Sequence, residues 1–175
     1  HYLASENKGR LIQSLKSFLS SRSFKSTEVF GRSRTLEELI ARILEDLRHI
    51  AEREFGGAIR SAVVGRPVRF VGAENDAGDE FAFGRLRHAF QLAGFEEVSF
   101  EPEPVAAAHW YESTLDHKEL ILVGDFGGGT SDFSLIEVGP SHRRSATRNI
   151  LGSDGVGIAG DALDARVLHN VVAPM

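Results

Sequence analysis

The 175-residue sequence predicts an α/β fold, a mixed sheet flanked by helices. Strand-like and helix-like patterns alternate through the first half of the chain. After Leu120 they give way to short apolar runs joined by glycine turns, the pattern of hairpin strands. A composition of 42% hydrophobic and 26% charged residues suits a globular domain with a real core.

The elements follow in order. Leu11, Ile12, Leu15, Phe18 and Leu19 recur with helical period, which predicts a short helix over 10–19. Ser20 to Arg34 is rich in Ser, Arg and Lys and reads as a loop. Thr35-Leu36-Glu37-Glu38 is a capping-box pattern. Behind it Leu36, Leu39, Ile40, Ile43, Leu44, Leu47, Ile50 and Phe55 keep one face apolar until Gly56-Gly57 ends the helix. Ser61–Gly65 and Val68–Val71 read as strand around Arg66-Pro67, and Gly72–Gly78 as loop. A helix is expected over Phe81–Ala93, stopped by Gly94, then a short strand over Val98–Glu101. Pro104, suited to a first helical position, opens a helix through Tyr111. Strands over Leu120–Phe126 and Ser131–Val138 flank a glycine turn. Gly139-Pro140-Ser141 leads into a weaker strand near Ser145–Leu151, and a last helix runs from about Asp161 to Val172.

A net charge of −5 and a pI near 5.8 argue against non-specific binding to nucleic acid or an anionic membrane. No cysteine is present, so disulfides and thiolate metal sites are excluded. No apolar run approaches the roughly 20 residues of a membrane span, and no signal peptide is visible. The chain opens on His1-Tyr2-Leu3 and closes at Pro174-Met175 soon after a helical pattern, as an excised piece of a longer protein would.

Nine of the eighteen glycines lie between Gly124 and Gly160. At the head of that window stands Asp125-Phe126-Gly127-Gly128-Gly129-Thr130-Ser131-Asp132. Successive glycines let several backbone N–H groups converge on one anion. Flanking carboxylates repel a bare phosphate but suit one that arrives with a hydrated divalent cation. The segment is therefore either a metal–nucleotide site or a plain glycine hairpin.

Other chemistries fare worse. Gly155-Val156-Gly157-Ile158-Ala159-Gly160 satisfies G-x-G-x-x-G. A dinucleotide fingerprint also needs a buried strand before it and an acid about 20 residues on. Here the preceding strand is polar, and Asp161 and Asp164 stand at the helix start where a pyrophosphate would have to lie. Its glycines read instead as a tight strand-to-helix turn, or as a second place where backbone can approach a phosphate. There is no Walker A pattern, no G-x-S-x-G elbow and no H-E-x-x-H spacing. His49, His88 and His109 read as helix-surface or semi-buried residues, Trp110 as a packing anchor, and Arg32, Arg34, His142, Arg143, Arg144 and Arg148 as solvated loop charges. Taken alone, Glu103 is an acid at a helix start and Lys16 a surface lysine.

The octapeptide from Asp125 to Asp132 resembles the second phosphate loop of the actin-like ATPase superfamily, in the form used by DnaK-type seventy-kilodalton heat-shock chaperones. Three further segments are similar to that family's and stand in the same order: Ala62-Val63-Val64-Gly65-Arg66-Pro67-Val68, Glu103-Pro104-Val105-Ala106-Ala107-Ala108, and Ala159-Gly160-Asp161-Ala162-Leu163-Asp164-Ala165-Arg166. Gly-Arg-Pro and Glu-Pro-Val-Ala-Ala look most like the divergent YegD-type bacterial branch. Lys16, in Lys16-Ser17-Phe18-Leu19, falls where the family has a lysine that assists attack on the γ-phosphate.

The resemblance implies an incomplete actin-like ATPase (ribonuclease H-like) fold, with residues 1–117 in lobe I and 118–175 opening lobe II. It implies a cytoplasmic chaperone relative that binds ATP or ADP with Mg²⁺, and clients or co-chaperones through regions outside this piece. Asp125 and Asp132 would hold the magnesium through its waters. Gly127, Gly128, Gly129 and Thr130 would surround the phosphates, with Gly160 nearby. Glu103 would orient water, and Lys16 would polarise the attacking one, which makes Lys16, Glu103, Asp125 and Thr130 the catalytic candidates. The family's first phosphate loop, Asp-x-Gly-Thr, is missing, and the isolated piece is expected to be inactive. A sugar kinase, a filament protein or a non-hydrolysing nucleotide sensor are the alternatives.

Overall fold

The computed structural model describes residues 12, 14–140, 149–156 and 158–173. They pack as two units, one of residues up to Ala62 with Phe70–Val98, the other of Val63–Arg69 with the chain from Ser99 onward.

In the first unit, one 3-10 turn (Leu15–Phe18) is what is described of the helix expected over 10–19; residues 10, 11 and 13 lie outside the described residues. The expected loop from Ser20 to Arg34 contains instead a hairpin of β1 (Ser26–Val29) and β2 (Arg32–Thr35). Its two-residue turn, Phe30-Gly31, has φ of 49° and 73°, both left-handed as a type I′ turn requires. Helix α1 (Leu36–Phe55) begins and ends as the sequence dictates. Thr35 Oγ1 accepts from the Glu38 N–H at 3.1 Å, Glu38 Oε2 accepts from the Thr35 N–H at 2.9 Å, and Gly56 takes the left-handed cap. Helix α2 (Asp76–Leu92) starts five residues earlier than its apolar pattern, because Asn75 Oδ1 caps the Gly78 N–H at 2.9 Å. Leu19, Leu36, Phe70, Ala73 and Ala82 form the core.

Buried Arg85 on α2 ties this unit together. Its guanidinium pairs with Glu37 at 2.5 Å and donates to the carbonyls of Ser21 and Phe24 at 3.0 and 3.1 Å. Burial pushes the Glu37 carboxyl up, but the hydrogen bond and charge of Arg85 outweigh this and hold it below its usual value.

Strands β3 (Ser61–Arg66) and β4 (Glu97–Pro102) pair with each other. The second strand segment expected over Val68–Val71 is absent; the chain turns after buried Pro67, which has no N–H to give a ladder.

In the second unit, α3 (Glu103–Ser113) packs on a three-stranded antiparallel sheet of β5 (Glu119–Phe126), β6 (Ser131–Val138) and β7 (Asn149–Val156). Ala108, Leu115, Ile136 and Val138 form its core, with Ile121, Val123 and Ile150 against them. Glu112, 1% exposed, accepts from the Gly139 N–H at 3.1 Å. That bond fixes the C-terminal turn of α3 at the end of the sheet remote from Asp125 and Asp132. The strand expected over 145–151 runs instead from Asn149 to Val156, with 145–148 outside the described residues. A register shift at Leu135/Ile136 lets its glycine-rich half continue pairing. The last helix is α4 (Gly160–Val167), which passes into a π-helical turn over Leu168–Val172.

Candidate functional site

β5 and β6 pair from Glu119↔Val138 to Phe126↔Ser131, leaving Gly127–Thr130 as a four-residue loop. The Gly127 N–H closes it on the Thr130 carbonyl at 2.9 Å. The start of α4 grips the outside of this loop. Gly160 N–H donates to the Gly127 carbonyl at 3.1 Å and Asp161 N–H to the Gly128 carbonyl at 2.8 Å. Ser131 Oγ donates to the Ile158 carbonyl at 2.8 Å. A Cβ on Gly160 would stand 3.4 Å from the Gly127 oxygen, so glycine permits this approach. With two loop carbonyls engaged this way, the Gly128, Gly129 and Thr130 N–H groups have no backbone acceptor among the described residues. Three adjacent donors without backbone partners are what an anion needs.

Asp125 and Asp132 are directly opposed in the register, so their side chains share one face of the hairpin. Asp125 is exposed, whereas Asp132 is 6% exposed and faces Gly155, its partner on β7. Any Cβ at residue 155 would collide with the Asp132 carboxylate. Among the described residues none donates a hydrogen bond or ion pair to either carboxylate, and none completes a cage of three or more metal-binding side chains. Two hard oxygen donors on one face of the hairpin are the ligand type that Mg²⁺ takes, commonly through the waters of its hydration shell.

Glu103 opens α3 in the same unit, half-buried, with its Cγ 3.1 Å from where a Gly65 Cβ would stand. Gly65 thus makes room for the Glu103 stem. Lys16 is exposed on the 3-10 turn of the first unit. Within the second unit the structure brings together Asp125, Gly127–Thr130, Asp132 and Gly160, and places Glu103 against β3. The first unit carries a groove of about 790 Å³ walled by Phe30, Arg34, Leu39 and Arg42. Two of its three arginines are paired, Arg34 with Glu38 and Arg42 with Glu45.

In the sequence Asp161 stands as a helix-start acid within the family-like Ala159–Arg166 segment, and nothing local marks Ser131, Gly65 or Gly155 as partners of the site. Their neighbours come from other strands and helices, which no local pattern announces. Gly155 had been noticed only in G-x-G-x-x-G. It lies inside β7, so that pattern is not a loop over a pyrophosphate; Gly157 lies outside the described residues.

A model of the family described as Hsp70 protein matches residues 15–171. The chain belongs to the Hsp70 family. Hsp70 proteins are chaperone ATPases that bind ATP and ADP with Mg²⁺, and the mixed α/β architecture is that of part of their actin-like ATPase fold. The Hsp70 assignment spans both units and takes in Lys16, Glu103, the glycine loop and Asp161 alike.

Proposed function

We propose that this chain is the central part of the ATP-hydrolysing domain of a DnaK-like Hsp70, with residues 1–117 from lobe I and 118–175 opening lobe II. The packing unit that contains the loop also takes in Val63–Arg69 and the chain from Ser99, where α3 covers the sheet of β5–β7. The observation that carries the functional reading is the clamped glycine loop, with carbonyls held by α4 and three adjacent N–H groups left for phosphate oxygens. Asp125 and Asp132 would hold Mg²⁺ through its waters. Glu103 orients a water, and Lys16 donates to the attacking one. Mg²⁺, when bound, neutralises phosphate charge. Phosphoryl transfer asks the protein mainly for placement and charge stabilisation, which these groups supply. Clients and co-chaperones bind through parts of the protein other than these residues.

The test is steady-state ATP hydrolysis by the intact protein. Asp125→Asn and Lys16→Ala are each expected to lower turnover by about 10²-fold or more. Both side chains are exposed, so the folded state should be preserved by circular dichroism. Unchanged turnover in Asp125→Asn rejects the site, and unchanged turnover in Lys16→Ala rejects that lysine's role alone.

A further inference from the structure

Asp161 holds the loop by its backbone, but its side chain is placed there too. A Cβ on Gly128 would stand 3.3 Å from Asp161 Oδ1 and 3.5 Å from Oδ2, so the carboxylate lies flat against the middle glycine of the loop. The segment from Ile158 to Asp161 is tied down by three hydrogen bonds, which keep that charge where it is. Holding the loop needs only the Asp161 N–H. A helix N-terminus favours an acid for its own sake, but the atoms nearest the Gly128 Cβ position are all from Asp161, and Asp164, one turn further along the same helix, is not among them.

From this contact we propose that Asp161 sets the ligand selectivity of the loop, disfavouring free nucleotide and admitting the metal complex. The inference rests on the nucleotide-binding reading above. A carboxylate fixed against the backbone that receives the phosphates repels an uncompensated phosphate at close range, where Coulomb interactions are strongest. A divalent cation reverses the sign of that interaction, because the same carboxylate then attracts the metal and its waters. Asp125 and Asp132 are on the paired strands, whereas Asp161 acts on the turn itself from a different element. Its charge therefore bears on the phosphates beside the glycine backbone, in addition to the strand carboxylates proposed to hold the metal.

The experiment is calorimetric titration of ADP into the intact protein, once in EDTA and once in excess Mg²⁺, giving the ratio of the two dissociation constants. Asp161→Asn keeps size and backbone but removes the charge. It is expected to tighten ADP binding in EDTA and so reduce the EDTA-to-Mg²⁺ ratio on the order of tenfold. Asp164→Asn should leave the ratio at the wild-type value, and Asp161→Glu should restore much of it. An unchanged ratio in Asp161→Asn, or equal weakening in both buffers, overturns the inference and leaves Asp161 a backbone anchor. If the wild-type protein binds no ADP even with Mg²⁺, the nucleotide-binding reading falls and this inference with it.

Discussion

At residue 155 a single methyl group decides whether Asp132 keeps its place. The position is a glycine next to the last residue of β7, where glycine ordinarily weakens the ladder, and the Asp132 carboxylate fills the space a side chain would take. Gly152, three residues back on the same strand, has nothing within 4 Å of its missing Cβ. Gly155→Ala should therefore destabilise the protein by about 1–3 kcal/mol, as overpacking does. Gly152→Ala should stay within about 0.5 kcal/mol of wild type. Urea denaturation of both variants measures the contrast, and equal effects would show that Asp132 moves aside freely. At this scale the sequence was legible where chemistry is local. The run from Asp125 to Asp132 carries its glycines, donors and acids in one octapeptide, and the structure folds it as one hairpin end. The dependence of Asp132 on Gly155 is not written locally, because β7 reaches it only through the sheet.

Elements were legible in proportion to how much of their stability is their own. Helix α1 carries its start, its apolar face and its stop within its own sequence, and its limits match the pattern. The β1–β2 hairpin was read as loop because its strands are polar and its turn places Phe30, a rare residue there, at positive φ. What fixes the chain just before that hairpin is remote: Arg85, on α2, donates to the carbonyls of Ser21 and Phe24 while pairing with Glu37. Two substitutions separate the local from the remote contribution. Thr35→Ala removes the α1 cap and should cost about 1 kcal/mol. Arg85→Ala leaves Glu37 without its cation and several carbonyls without a donor in a largely buried place, and should cost about 3–5 kcal/mol. Chemical denaturation reads both, and an Arg85→Ala cost no larger than that of Thr35→Ala would remove Arg85 from the centre of the first unit.

For the whole molecule, nucleotide affinity depends on how many groups meet the phosphates. The residues present supply one glycine loop with its carboxylates, and no Asp-x-Gly-Thr pattern occurs among them to supply the first phosphate loop that the resemblance implies. On the proposed reading this is half of a clamp, which forfeits more than half of the affinity, because the ordering cost of the ligand is nearly the same while the favourable contacts are divided. This makes thermal unfolding a decisive comparison between the 175-residue chain and the intact protein. A ligand at 1,000 times its dissociation constant stabilises by about 4 kcal/mol, which for a domain of this size raises Tm on the order of 10 °C. At 1 mM Mg·ATP that is the shift a micromolar binder would show. The isolated chain should shift by about 1 °C or less, corresponding to a dissociation constant of about 1 mM or weaker. The intact protein should show the large shift and lose it with Asp125→Asn. A shift on the order of 10 °C in the isolated chain would mean that the loop clamped by α4 binds nucleotide without the first phosphate loop.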